Sequence, residues 1–277
     1  MEKANYPVTV LCRVLKVQRS GFYEWLRKPA DIEELLLIWL VVRIFDKSRQ
    51  SYGARNIARE LQALGIMAGR FKARSLMKKA GIEALKKKKF RITTDSNHNL
   101  HIAPNLLNRK FNVKERDTVW CGDITYLLTK EGWMYLAVVI DLASRKIVGW
   151  ALAKRMKRQL VIDALRSAFI TRRPAKGLLF HSDRGSQYAS EDFRRQLRRC
   201  GMIQSMSRKG NCWDNAVAER FFRSLKCEQT NDRIYETRDD LRKDVFDYIE
   251  VFYNRQRRHS TLGYLSPAAF EQQAFCA

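Results

Sequence analysis

Residues 117–152 constrain the fold most, because three strand-like runs lie so close together that few arrangements can hold them. Residues 118–127, 133–141 and 146–152 are rich in β-branched and aromatic side chains, which suit a pleated sheet. The intervening Lys130-Glu131-Gly132 and Ala143-Ser144-Arg145 are short enough for hairpin turns. After this meander the pattern alternates: a helix over 159–171, a strand over 178–182, a helix over 191–200, a short strand over 203–206 and a long helix from Ala216. A meander followed by alternating elements predicts an α/β fold, a mixed sheet covered by helices.

Upstream, residues 31–89 read as helical. Asp31 is a plausible N-cap, and the apolar run Leu35, Leu36, Leu37, Trp39, Leu40 and Val41 predicts a well-buried first helix. A second, over 54–64, spaces Ile57, Ala58 and Leu61 along one face and ends at Gly65. A third, over 69–80, carries Arg70, Lys72, Arg74, Lys78 and Lys79 around Phe71, Leu76 and Met77, with Gly81 at the C′ position. Short helix, glycine turn and basic helix describe a helix-turn-helix, with Arg70, Lys72 and Arg74 as candidate DNA contacts. Residues 86–110 open on Lys86-Lys87-Lys88-Lys89 and lack periodicity. The expected organisation is therefore an N-terminal segment (1–30), a helix-turn-helix domain (31–89), a linker (90–113) and an α/β domain with a C-terminal helical extension (114–277).

Charge points to the partner. Across 277 residues, 53 Lys and Arg oppose 29 Asp and Glu, a formal +24. Cations spread along a whole chain predict salt-sensitive binding to a polyanion through counterion release. No long apolar run or signal-peptide pattern supports a membrane, so a nucleic acid, DNA or RNA, is the expected partner. The six cysteines are scattered without a Cys-x-x-Cys pair, and neither a disulfide framework nor a zinc site is expected. His98 and His101 read as loop residues.

Three carboxylates stand out against this cationic background. Asp123 interrupts the apolar strand Val119-Trp120-Cys121-Gly122-Asp123-Ile124-Thr125-Tyr126, where a charge is costly unless paired or metal-bound. Asp183 follows the apolar Leu178-Leu179-Phe180 as the chain turns out of the sheet. Glu219 sits one turn into the helix after Asn215, the expected N-cap, and behind a basic loop in which Arg208 and Lys209 are further candidate DNA contacts. Oxygen-only ligands match a hard cation, Mg²⁺ or Mn²⁺. Two such ions can activate a nucleophilic oxygen and stabilise a leaving one in phosphoryl transfer. Arg223 and Lys226, four and seven residues beyond Glu219, share its helix face and suit phosphate. The residues alone leave Asp141, Asp214 and Glu228 open as alternative ligands.

The strings Asp123-Ile124-Thr125-Tyr126, His181-Ser182-Asp183-Arg184-Gly185-Ser186-Gln187-Tyr188 and Ser205-Met206-Ser207-Arg208-Lys209-Gly210-Asn211-Cys212-Trp213-Asp214-Asn215-Ala216-Val217-Ala218-Glu219 closely resemble the integrase-like transposases of insertion sequence family three. Residues 184–218, 35 in number, separate Asp183 from Glu219, as in that family. The likeness extends to the helix-turn-helix, to Trp133-Met134-Tyr135-Leu136-Ala137-Val138-Val139-Ile140-Asp141 and to Tyr253-Asn254-Arg255-Gln256-Arg257-Arg258-His259-Ser260. It implies a ribonuclease-H-like integrase core and selects Asp123, Asp183 and Glu219 as the catalytic and metal-binding triad. It also implies a second-reading-frame product that cuts element ends and joins the 3′-OH to target DNA, working as a homo-oligomer on double-stranded DNA in the bacterial cytoplasm, at the nucleoid. An upstream-frame subunit or fusion segment is implied as partner, since no heptad array appears here to replace it. Two other readings stay open: a nuclease of the same fold that only hydrolyses, and a DNA-binding repressor with an idle second domain.

Overall fold

The computed structural model describes residues 6–27, 31–85, 100–208, 212–230 and 233–275. Lys209, His98, the Lys86–Lys89 run and part of the expected linker lie outside them. In chain order, α1 (Val8–Val14) and α2 (Arg19–Arg27) form a short helical hairpin where sequence reading sees only a leading segment. Next come α3 (Ile32–Lys47), α4 (Ala54–Ala63) and α5 (Arg70–Lys79).

Asp31 caps α3 by accepting a hydrogen bond from the Glu34 amide at 3.0 Å. Gly65 and Gly81 follow α4 and α5 with φ of +80° and +68°, a backbone region that costs glycine least. Val41, Phe45, Ile57, Leu61, Ala73, Leu76 and Met77 form one small core. The expectation of a well-buried α3 is not met: Trp39 is 60% exposed, and Leu35 and Leu36 are exposed as well. The reason is geometric. Among the described residues α4 and α5 are its main neighbours, so one stripe is covered and an apolar run wider than a stripe spills onto the surface. On α5, Leu76 and Met77 are buried while Phe71 is 78% exposed.

The second part is a five-stranded sheet: β1 (Val119–Thr129), β2 (Gly132–Asp141), β3 (Ile147–Ala153), β4 (Leu179–Ser182) and β5 (Ile203–Met206), in the order β3-β2-β1-β4-β5. β1, β2 and β3 are an antiparallel meander; β4 pairs parallel to β1, and β5 parallel to β4. Period-two alternation sorts the side chains. Trp120, Ala137, Val139 and Phe180 pack beneath α6 (Arg158–Arg172), α7 (Ser186–Ala189) and α8 (Glu191–Arg199). Cys121, Met134, Leu136, Val138 and Ile140 face the C-terminal helices. Two glycines let backbones approach: a Cβ on Gly149 would lie 2.4 Å from the Ala168 nitrogen of α6, and one on Gly122 would lie 2.6 Å from the Phe180 ring.

On the second face, α9 (Ala216–Leu225) runs on through a π-helical turn at Lys226–Thr230, and α10 (Arg238–Phe246) through another at Asp247–Tyr253. α11 (Pro267–Phe275) follows. These helices also hold the N-terminal helical unit. Arg49 bonds Gln229 and Asp247 and lies 4.6 Å from the Phe252 ring centroid. The Arg258 amide donates to the Tyr52 hydroxyl at 2.7 Å, and its guanidinium pairs with Glu60 at 2.5 Å. No helix among the described residues is long and apolar enough to cross a membrane.

Candidate active site

Strand register brings the first two carboxylates together. Gly122 of β1 stands opposite Ser182 of the parallel β4, so Asp123 and Asp183 are the next residues on neighbouring strands. Alternation turns Asp123 to the face that carries Cys121 and is covered by α9. One Asp123 oxygen accepts from the Ile124 amide at 2.7 Å, and Asp183 Oδ1 accepts from the Gly185 amide at 3.0 Å. Burial pushes the Asp123 carboxyl well above the usual carboxylate range; the Asp183 charge pushes it further and Glu219 adds to it, while Lys226 opposes. Like charges are held close in a poorly solvated spot.

Glu219 lies in the first turn of α9 and is exposed at the residue level. Burial raises its pKa and Arg223 opposes the rise. Its charge reaches Asp123, yet among the described residues no three His, Cys, Asp or Glu side chains converge closely enough to hold a metal ion. Asp123 and Asp183 are thus the adjacent pair, with Glu219 standing off at the rim. Lys226 completes the setting: its ammonium lies 4.4 Å from the Tyr126 ring centroid, and burial lowers its pKa to about 8.

The alternative carboxylates are each engaged by the protein, Asp214 and Glu228 with arginines and Asp141 with neutral donors while burial raises its pKa. Asp141 is fully buried and accepts from the Ser144 amide (2.8 Å), the Ser144 hydroxyl (3.0 Å) and the Asp117 amide (2.7 Å). Asp214, with a side chain 0% exposed, accepts from Arg109 Nε (2.8 Å), Asn105 Nδ2 (2.9 Å), the Arg208 amide (3.0 Å) and Arg208 Nε (3.2 Å). These donors hold its carboxyl below the usual range despite the opposing effect of burial. Glu228 is buried against Arg257 (2.7 Å) and the Tyr248 hydroxyl (2.7 Å).

A polar layer steadies the start of α9. His181 bonds Ser205 Oγ at 2.9 Å and the Asp214 carbonyl at 3.0 Å, and burial lowers its pKa to about 4, so the ring is neutral near pH 7. Asn215 occupies the N-cap position but does not cap with its side chain. That oxygen accepts instead from Cys121 Sγ at 2.7 Å, tying the helix start to β1.

Of the candidate DNA contacts, Arg223 is exposed on α9 and Lys226 half-buried. Arg70, Lys72 and Arg74 are exposed on α5, some distance along the chain, with Arg70 5.3 Å from the Phe71 ring centroid. Arg208 is half-exposed and bonded to Asp214; Lys209 lies outside the described residues. Sequence reasoning missed the clamp made by the C-terminal string. Asn254 bonds both the amide and the carbonyl of Ile147 at 3.0 Å, and the Tyr253 hydroxyl donates to the Arg145 carbonyl at 3.1 Å. Such contacts span about a hundred residues and leave no local periodic signal.

A meander-plus-parallel sheet with an acidic pair at the junction of β1 and β4 defines the class of integrase catalytic cores. The family model described as "Integrase core domain" matches residues 114–212, a second with the same description matches 219–275, and one described as "HTH-like domain" matches 31–90. An uncharacterized 31 kDa protein of insertion element IS600 from Shigella sonnei is 45% identical over 95% of this chain and 98% of its own. The transposase InsF of insertion sequence IS3A from Escherichia coli K12 is 41% identical over 98% of this chain and 96% of its own. The chain belongs to the IS3 family of transposases, with a DDE integrase catalytic core and an HTH-like region.

Solved structures similar to it include a simian T-cell lymphotropic virus intasome in complex with the PP2A regulatory subunit B56 gamma, at TM-score 0.45 and 16% identity, over 79% of this chain and 70% of that one. The HTLV-2 integrase catalytic core domain in complex with magnesium aligns at TM-score 0.40 and 16% identity, over 56% of this chain and 95% of that one.

Proposed function

We propose that this transposase cuts the ends of its insertion element and joins the exposed 3′-OH to target DNA, with Asp123, Asp183 and Glu219 as the metal-binding catalytic triad. One observation carries the reading: strand register sets Asp123 and Asp183 side by side, each raising the cost of charge on the site, whereas Asp214 and Glu228 are paired with arginines and Asp141 accepts three hydrogen bonds from Ser144 and Asp117. An all-oxygen donor set suits Mg²⁺ or Mn²⁺. Divalent cations, two by the chemistry of phosphoryl transfer, would supply Lewis acidity toward the scissile phosphate and its attacking and leaving oxygens.

Around that centre the chain's own residues bind and orient. Arg223 and Lys226 lie along α9 beyond Glu219 and would hold phosphates beside the scissile bond. The half-exposed Arg208 and its neighbour Lys209 would meet the same strand. In residues 31–89, proposed as the DNA-binding domain, the exposed Arg70, Lys72 and Arg74 of α5 would grip duplex DNA. Residues 114–277 would then be the catalytic domain, working at the nucleoid as a homo-oligomer with an upstream-frame subunit or fusion segment.

Purified full chain incubated with labelled element ends and Mg²⁺ tests the central step. Joined products are expected, and Asp123→Ala should lose cleavage and joining while keeping DNA affinity. Hydrolysis without joined products would instead mark a nuclease. Activity unchanged in Asp123→Ala would overturn the triad and favour a repressor.

A further inference from the structure

The hairpin of α1 and α2 lies ahead of both the helix-turn-helix expected from the sequence and the region matched as HTH-like, and nothing above gives it a task. Its geometry is specific. α1 ends in a Schellman motif, in which the Lys16 amide donates to the Arg13 carbonyl (3.3 Å) and the Val17 amide to the Cys12 carbonyl (3.0 Å). Lys16 takes the required left-handed conformation at φ +53°. After Leu15, Lys16, Val17 and Gln18 the chain enters α2, whose first turn is set by the Phe22 amide donating to the Gln18 carbonyl at 3.2 Å. Two short helices joined through four residues, the first ending on a left-handed residue, have the proportions of a helix-turn-helix.

The side chains follow the same plan. Cys12, small and 4% exposed, is the buried residue of α1, and Leu11 and Phe22 are half-buried. On α2, Ser20 and Glu24 fall on the opposite side from Phe22 and Leu26 at helical spacing, with Tyr23 on the flank. With Gln18 and Arg19 at the helix start, all five polar residues are exposed. Arg13, Lys16 and Arg19 add positive charge around the turn. In a helix-turn-helix the N-terminal residues of the second helix meet base edges. Arginine pairs with guanine, glutamine with adenine, and serine or glutamate can bond bases as well.

We propose that α1–α2 is a second DNA-reading helix-turn-helix, distinct from α4–α5, in which α2 enters the major groove of duplex DNA and Gln18, Arg19 and Ser20 read bases. It rests on the reading of this chain as a DNA-binding transposase. α5 presents mainly lysine and arginine, suited to phosphate; α2 presents a mixed polar face, suited to sequence. The two units would divide grip from recognition.

The test is a selection from random-sequence duplexes with the full-length chain, magnesium chelated so that no strand is cut. The wild type should enrich a defined motif. Arg19→Ala and Gln18→Ala, at exposed positions, should keep the wild-type Tm and each relax preference at its own base positions about tenfold, leaving the rest of the motif intact. The same motif at the same strength in both variants would overturn the proposal and mark the face as a protein-docking surface. Uniform weakening without change of motif would reduce it to a phosphate contact, and a wild type that binds duplex but enriches nothing would also overturn it. A wild type that binds no duplex would bring down the DNA-binding reading itself.

Discussion

Two acidic regions of the core, both beside the start of α9, are treated in opposite ways. Around Asp214, two arginines, an asparagine and a backbone amide converge on one buried carboxylate. Around Asp123, the nearest charges are another aspartate and, further off, a glutamate, with Lys226 as partial relief. The first region spends its cations inside the fold. The second holds two carboxylates side by side with Lys226 as partial relief, and that contrast distinguishes a structural carboxylate from the proposed metal ligands where residue type alone cannot.

Loss of the second region should show mainly in chemistry. Asp123→Asn or Asp183→Asn should lower cleavage and joining by about a thousandfold, the scale of several kcal/mol of transition-state stabilisation. Thermal unfolding of chelated Asp123→Asn should be no easier than wild type, because the substitution removes a repulsion. A destabilised Asp123→Asn would mean that the carboxylate is holding the fold, and the contrast with Asp214 would collapse.

Loss of the first region should show mainly in stability. Asp214→Ala removes hydrogen bonds to a buried charge and should cost about 2–3 kcal/mol, read by denaturant unfolding. The two aspartates also bend the pH profile in opposite directions. Asp214 has a depressed pKa, so the stability it contributes is present above the ordinary carboxylate value of 3.8 and is lost as pH falls through its folded value. Asp123 has a raised pKa, so the stability tied to its protonated form is present below 3.8 and is lost as pH rises through its folded value. In chelated protein, Asp214→Asn should flatten the acid limb, and Asp123→Asn should raise stability at neutral pH with no gain below 3.8. Profiles that shift in the same direction would show that the two sites are alike.

Much of this framework was legible in the sequence, and its limits are physical. Strand ends in the meander were readable to within two residues, since period-two burial and the Lys130-Glu131 turn leave local marks. The α1–α2 hairpin was not, because Lys16 rather than glycine holds the left-handed turn. The exposure of Trp39 was not either, because an apolar run does not say how many neighbours will cover it. At the site, the residues alone left Asp141, Asp214 and Glu228 in contention. The case against Asp214 and Glu228 rests on the contacts Arg109–Asp214 and Arg257–Glu228, which link residues far apart in the chain. Family spacing could select the triad; side-chain packing gives a physical reason for that selection.

Added cation should sharpen the same division. Mg²⁺ at about ten times its Kd should stabilise the wild type by about 1.4 kcal/mol, roughly 2–4 °C in Tm for a chain of this size. Asp123→Asn and Asp183→Asn should abolish that shift, while Glu228→Gln, whatever its starting stability, should keep it. A shift that survives in Asp123→Asn would locate the bound cation elsewhere.

The smallest effect separates cations as the larger ones separate carboxylates. Arg208 has part of its guanidinium bonded to Asp214, whereas Arg74 is exposed on α5. Removing Arg74 deletes one phosphate neutraliser and touches no buried partner. Arg74→Ala should therefore weaken duplex binding evenly across sequences, reduce the slope of log affinity against log salt by about one, and leave unfolding within about 0.5 kcal/mol of wild type. Arg208→Ala should lower the unfolding free energy, since the Asp214 carboxylate loses donors it cannot replace from water. If Arg74→Ala leaves the salt slope unchanged, the basic face of α5 is a solvated surface and the grip on DNA lies with the α9 cations.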